Sequence, residues 1–158
     1  MELAPGVMIT PELRLVRPLG RGAMGSVWVA EHSGRGSLVA LKVVSEKMVR
    51  DRATIARFDR EASSAQQIQS QHVVEIHEHG RTDEGLTYIV MELLRGESLG
   101  QRLARVGKLS LADAAGILRQ IGSALDAAHA RGIIHRDIKP DNVFLAAGED
   151  AEVVKVLD

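Results

Sequence analysis

The sequence predicts an α+β chain in two parts: a five-stranded antiparallel sheet carrying one main helix, then a helical part that closes with small strands. Three features point there. Gly and β-branched residues crowd the first part, whereas Ala, Leu and Arg dominate from Ser98 to Arg131. Short stretches near the start alternate apolar and polar residues with the period of a strand. A stripe with helical period then interrupts the strands before two more follow.

Taken in order, Leu13 to Leu19, Ser26 to His32 and Leu38 to Val44 read as strands separated by Gly-rich turns. From Arg50 to Gln69 the apolar residues fall at Ile55, Phe58, Ala62, Ala65 and Ile68, the spacing of one helix face. Val73 to His77 and Thr87 to Leu93 read as the last two strands of the sheet, joined by the turn-rich segment Gly80 to Gly85. Ser110 with Asp113 makes an N-terminal cap, and Gly132 stands where a glycine stops a helix, so Leu111 to Arg131 reads as one long helix. Ile133-Ile134, Val143 to Leu145 and Val153 to Leu157 read as small strands around the polar loop His135 to Asn142.

Composition narrows the function classes. With 158 residues, 45% of them apolar, the chain buries a core of one domain or a little more. Twenty basic against twenty-one acidic side chains leave a formal charge of -1, so no bulk field draws the protein to nucleic acid or an anionic membrane, and recognition of anions has to be local. The basic residues from Lys42 to Arg60 are interleaved with acids and lack aromatic stacking partners, which argues against nucleic-acid binding. Glu92 interrupts the longest apolar run, Leu86 to Leu94, so no membrane contact is expected within this chain. The N-terminus lacks the basic start and apolar core of a secretion signal and there are no cysteines, which favours a cytoplasmic location.

Gly20-Arg21-Gly22-Ala23-Met24-Gly25-Ser26-Val27 lies between two predicted strands, where glycines let a hairpin backbone approach a polyphosphate. It precedes a strand rather than a helix, which argues against a dinucleotide-binding fold. In the strand around Ala40-Leu41-Lys42, alternation puts Ala40, Lys42 and Val44 on one face and Leu41 and Val43 on the other. Glu61 falls within the apolar stripe of the following helix, so its carboxylate is expected to face inward and to need a cation, for which Lys42 is the natural candidate. His135-Arg136-Asp137-Ile138-Lys139-Pro140-Asp141-Asn142 is the most specific segment. It resembles the catalytic loop of the protein kinases, which implies that Asp137 orients a hydroxyl and takes its proton, Lys139 neutralises the moving phosphoryl group and Asn142 binds magnesium. Asp158 follows a strand at its end, sixteen residues after Asn142. His72, His77 and His79 cluster around one predicted strand but read better as solvated edge positions than as a metal site.

Together these residues resemble the eukaryotic-like Ser/Thr protein kinases over about Leu13 to Asp158. The resemblance implies an N-terminal extension over 1–12, a first lobe with hinge over 13–94 and a partial second lobe over 95–158. It implies ATP and Mg2+ as cofactors and a Ser/Thr-bearing protein as substrate. Leu19, Gly20, Gly22, Gly25, Val27, Ala40 and Lys42 match the family's nucleotide-binding positions, Met91 the gatekeeper, the Glu92 and Leu94 backbones the adenine contacts and Phe144 the adenine floor. Asp137, Lys139, Lys42 and Glu61 match the catalytic positions, and Asn142 and Asp158 the metal-binding ones. Because the family's activation segment would follow Asp158, negligible activity is expected of the isolated chain, with Ile117, Ile121 and Leu125 of the long helix left exposed. A non-catalytic nucleotide-binding regulatory fragment and a small-molecule phosphotransferase are the alternatives; Lys139 weighs against the second.

Overall fold

The computed structural model describes residues 2–22, 25–45 and 52–157. It forms two compact units, Met1–Gln66 with Ile76–Leu93, and Gln67–Glu75 with Leu94–Asp158.

The first unit is an antiparallel sheet of β1 (Met8–Thr10), β2 (Leu13–Gly22), β3 (Gly25–His32), β4 (Ser37–Val44), β5 (Ile76–Arg81) and β6 (Thr87–Met91), in the order β1-β2-β3-β4-β6-β5. The sheet has six strands among the described residues where five were expected. The extra one is a three-residue edge strand whose Ile9 is buried in the core. Alternation then does what the sequence predicted. Leu41 and Val43 join Leu13, Leu15, Trp28, Ala30 and Val90 in a core on one face. On the other face the register sets Val27 opposite Lys42 and Lys42 opposite Ile89, while Ala40 lies between Val29 and Met91. The one buried indole N–H, on Trp28, is satisfied by Ser26 Oγ at 3.0 Å.

Helix α1 (Arg52–Gln66) packs on β5. Gln66 Nε2 donates to the carbonyl of His77 at 2.7 Å, and Ser63 Oγ lies 3.3 Å from His79 Nε2. The helix buries Ala62 and leaves Glu61 exposed. The expectation that Glu61 shares the inward stripe is therefore corrected. Ala62, one residue and 100° further round, takes the inward position, and the helix is turned by its anchors to β5 rather than by the full apolar stripe.

The strand expected over Val73 to His77 is displaced to β5. Val73 instead makes an isolated parallel bridge to Val156 in the second unit, where His72 Nδ1 also meets the Val154 carbonyl at 2.9 Å. That unit carries β7 (Gly96–Ser98), β8 (Val143–Ala147) and β9 (Glu152–Val156) in one sheet, with α2 (Leu99–Val106) and α3 (Leu111–His129). Reciprocal bonds between Ser98 and Gln101 cap α2, at 3.0 and 2.8 Å, and Ser110 Oγ accepts from the Asp113 amide to cap α3. Gly132, at φ 72, lies just beyond α3, and Ile133-Ile134 forms no strand.

Ile117, Ile121 and Ala124 of α3 pack on Val143, Leu145, Val154 and Val156. The expected exposure of Ile117 and Ile121 is thus overturned, since each is only 8% exposed, and Leu125 packs at the edge of the same cluster. The β8–β9 hairpin supplies the apolar surface that α3 needs, and burying each isoleucine contributes about 1.5–3 kcal/mol. Leu111 and Leu118, at 88% and 66%, are the exposed leucines of α3.

Candidate active site

In the first unit, the Gly-rich segment is the β2–β3 hairpin, with Gly20 opposite Val27 and Gly22 opposite Gly25. Its three glycines have different physical reasons. Gly25 has φ 137, and a Cβ there would stand 1.9 Å from the carbonyl oxygen of Val43, so only glycine lets β3 lie against β4 at this point. Gly20 and Gly22 have ordinary φ and open space where a side chain would be. Among the described residues nothing lies within 4 Å of where their Cβ atoms would stand. Leu19 is exposed beside them, and Ala40 is buried.

Val27, Ala40, Lys42 and Met91 therefore come together on one face of the sheet. The small Ala40 and half-buried Val27 and Met91 make an apolar floor, and Lys42 provides the cation at its edge. Glu61 does not join them, being exposed and absent from the ion pairs of the described residues. Glu92, which follows β6, is half-buried.

In the second unit, the polar loop converges on Asp137. Lys139 Nζ donates to Asp137 Oδ2 at 2.8 Å, and Asn142 Nδ2 donates to the same oxygen at 3.0 Å and to the Asp137 carbonyl at 2.9 Å. The Lys139 ammonium, aided by the Asn142 amide, holds the Asp137 carboxyl below the usual carboxylate range. Asp137 is thus a carboxylate with one oxygen committed and exposed to an incoming group. With its amide nitrogen turned to Asp137, Asn142 keeps the amide oxygen as a hard donor, the type that Mg2+ prefers.

The loop is held by its own ends. The Asp137 amide donates to His135 Nδ1 at 3.2 Å, while His135 Nε2 meets the Leu157 carbonyl at 2.6 Å, so the neutral Nε2–H tautomer satisfies both. Leu157 N–H in turn donates to the Asn142 carbonyl at 2.9 Å. Between His135 and Asp137, Arg136 sits at φ 65, the one non-glycine in the left-handed region among the described residues. Such a conformation costs about 1–3 kcal/mol and is held here by the bonds on either side. Both ring nitrogens of His135 are thus engaged in holding the loop. Phe144 and Leu94 are half-buried, with Phe144 paired to Ser98 and Lys155 on β8. Asp158, the second metal-binding candidate, lies outside the described residues, as do Ala23 and Met24 of the Gly-rich segment.

One contact escaped the sequence. A Cβ on Gly100 would lie 2.2 Å from Asp141 Oδ1, so this glycine in the first turn of α2 admits the Asp141 carboxylate against the helix's positive end. The Ser98–Gln101 capping box marked that helix start, but nothing in the spacing tied it to Asp141. Among the described residues no group of three His, Cys, Asp or Glu side chains comes together in a way that could hold a metal ion.

Comparison with known proteins agrees with this geometry. The model of the protein kinase domain matches residues 13–158. The serine/threonine-protein kinase PknE of Mycobacterium tuberculosis is 47% identical over 141 residues, covering 89% of this chain and 25% of its own length. PknH of Mycobacterium bovis is 42% identical over 149 residues, or 94% of this chain and 25% of that protein. The chain spans about a quarter of the length of these curated relatives. The crystal structure of the PknI kinase domain of M. tuberculosis superposes with a TM-score of 0.88 at 34% identity, covering all of this chain and 62% of that one. The chain belongs to the protein kinase domain family.

Proposed function

We propose that this chain supplies the nucleotide-binding sheet and catalytic loop of a protein Ser/Thr kinase, which transfers the γ-phosphoryl group of ATP to a Ser or Thr hydroxyl of a protein. The observation that carries this reading is the Lys139–Asp137–Asn142 constellation, in which one carboxylate is held ionised beside a cation and a hard oxygen donor. Asp137 orients the acceptor hydroxyl and takes its proton as the oxygen attacks phosphorus. Lys139 keeps Asp137 ionised and offers positive charge to the moving phosphoryl group. Lys42 binds phosphate oxygens, with Glu61 as its partner in the catalytic arrangement. By family likeness Leu19, Val27, Ala40, Met91 and the Glu92 backbone are the adenine positions of the first unit and Leu94 and Phe144 those of the second, and the open faces of Gly20 and Gly22 suit the phosphates.

Asn142 and Asp158 would hold Mg2+, which when bound neutralises charge on the phosphate oxygens. The lobe assignment of 13–94 and 95–158 belongs to the same reading, as does a cytoplasmic location, where ATP is supplied. No described helix is long and apolar enough to cross a membrane.

The test is transfer of labelled γ-phosphate from Mg-ATP to a generic protein substrate by a purified protein in which this chain is joined to an activation segment of the family, followed by phosphoamino-acid analysis. Label on Ser or Thr is expected, with Asp137→Asn lowering the rate about 10²- to 10⁴-fold while ATP still binds. Transfer that survives Asp137→Asn would sink the assignment of the base. ATP binding without any transfer would favour the regulatory-fragment reading.

A further inference from the structure

The bond between α1 and β5 bears on the reaction. His79 lies opposite Ile89, and Ile89 opposite Lys42, so His79 and Lys42 share one face of the sheet two strands apart, roughly 10 Å by ordinary strand spacing. Ser63 reaches His79 from α1 at 3.3 Å. His79 Nδ1 is buried without a partner. A buried lone pair is tolerated better than a buried N–H, so the proton sits on Nε2 and His79 donates to Ser63 Oγ.

On a helix, residues two apart lie about 200° from each other. Rotating α1 to carry Glu61 toward β4 and Lys42 therefore moves Ser63 the opposite way and breaks its bond to His79. The structure shows the bond made and Glu61 exposed. We infer that Ser63 and His79 are positioning residues that hold α1 in the rotation in which Glu61 is kept from Lys42, so that releasing them favours the paired, reactive arrangement. This inference rests on the kinase reading above. Neither residue touches the reacting groups.

A single exposed hydrogen bond biases such an equilibrium by about 2- to 10-fold. Ser63→Ala removes the acceptor with no loss of helix propensity, and Ser63→Thr keeps the hydroxyl as the rescue variant. With the same purified protein that joins this chain to an activation segment, Ser63→Ala is expected to raise kcat about 2- to 10-fold with the KM for ATP little changed, and Ser63→Thr to behave as wild type. The gain should vanish in a Glu61→Gln background. The mechanical half is read without any reaction: amide hydrogen exchange over α1 should quicken by a similar factor in Ser63→Ala.

An unchanged or lowered kcat in Ser63→Ala, or a gain that persists in Glu61→Gln, would overturn the inference while leaving the kinase reading intact. Absence of phosphoryl transfer by every variant would count against the kinase reading itself. Exchange over α1 then decides the latch alone, and unaltered exchange refutes it.

Discussion

Alanine at Gly25 and alanine at Gly20 or Gly22 make chemically identical changes a few residues apart, yet the structure assigns them opposite consequences. At Gly25 the new methyl meets the Val43 carbonyl oxygen at 1.9 Å and the Val43 carbonyl carbon at 3.0 Å, on a backbone at φ 137. Both obstacles are main chain, so relief requires β3 and β4 to part. A sparsely populated φ alone costs about 1–3 kcal/mol, and displaced ladder bonds raise the total to roughly 2–4 kcal/mol. For a chain of this size that is a fall in Tm of about 4–16 °C. Gly20→Ala and Gly22→Ala meet nothing within 4 Å, so they should stay within about 0.5 kcal/mol of wild type. Under the proposed function they nevertheless weaken ATP binding, because the methyl occupies the space the phosphates approach through. Urea unfolding of the three variants, with ATP titration by calorimetry alongside, separates the two effects. The reasoning fails if Gly25→Ala unfolds like wild type, or if Gly20→Ala is as destabilised as Gly25→Ala.

Three further outcomes follow from the second unit. Hydrogen bonds from Arg105 and Arg102 lower the Glu97 carboxyl to about 2. A folded value below the unfolded one means that this contribution to stability is present above about pH 4.5 and is lost as pH falls through about 2, so Glu97→Gln should flatten that part of a stability profile measured by urea unfolding. Lys139 is the main cause of Asp137's lowered carboxyl, so Lys139→Ala should move the acid limb of kcat/KM to higher pH as well as slow the reaction, and an unmoved limb would show that another group sets it. Gly100→Ala should push the Asp141 carboxylate from the α2 N-terminus at a cost of about 0.3–1 kcal/mol, with Asp141→Asn adding nothing in that background in a denaturation double-mutant cycle.

Much of this was legible from periodicity. The alternation of Ala40, Leu41, Lys42 and Val43 fixed which residues form the core and which the opposite face, because a strand has only two faces to choose between. The loop His135 to Asn142 was legible because much of its chemistry is local: Lys139 and Asn142 both donate to Asp137, whose amide donates to His135. What sequence could not supply was phase and partnership. Glu61 has apolar neighbours at helical spacing, but the rotation of α1 follows from Ser63 and Gln66 meeting β5, which no pattern within the helix contains. Ile117 and Ile121 were expected to be exposed because the family's further helices would follow Asp158, but the β8–β9 hairpin, from residues about twenty to forty positions later, already covers them. The short elements β1, α2 and β7 were missed because three to eight residues hold too few periods to stand out.

The two bonds on Leu157 reach further than the loop they close. Both use its backbone, the amide to Asn142 and the carbonyl to His135, so almost any side chain that packs at 157 preserves them. The hairpin between Asn142 and Leu157 turns at Gly148 to Ala151, and its paired strands run from there back to the two fastened ends. Insertions or deletions at that turn are therefore absorbed where the chain is exposed and lengthening a loop is cheap. In an evolving lineage the turn can change in length while the loop that carries Asp137 stays fastened to Leu157.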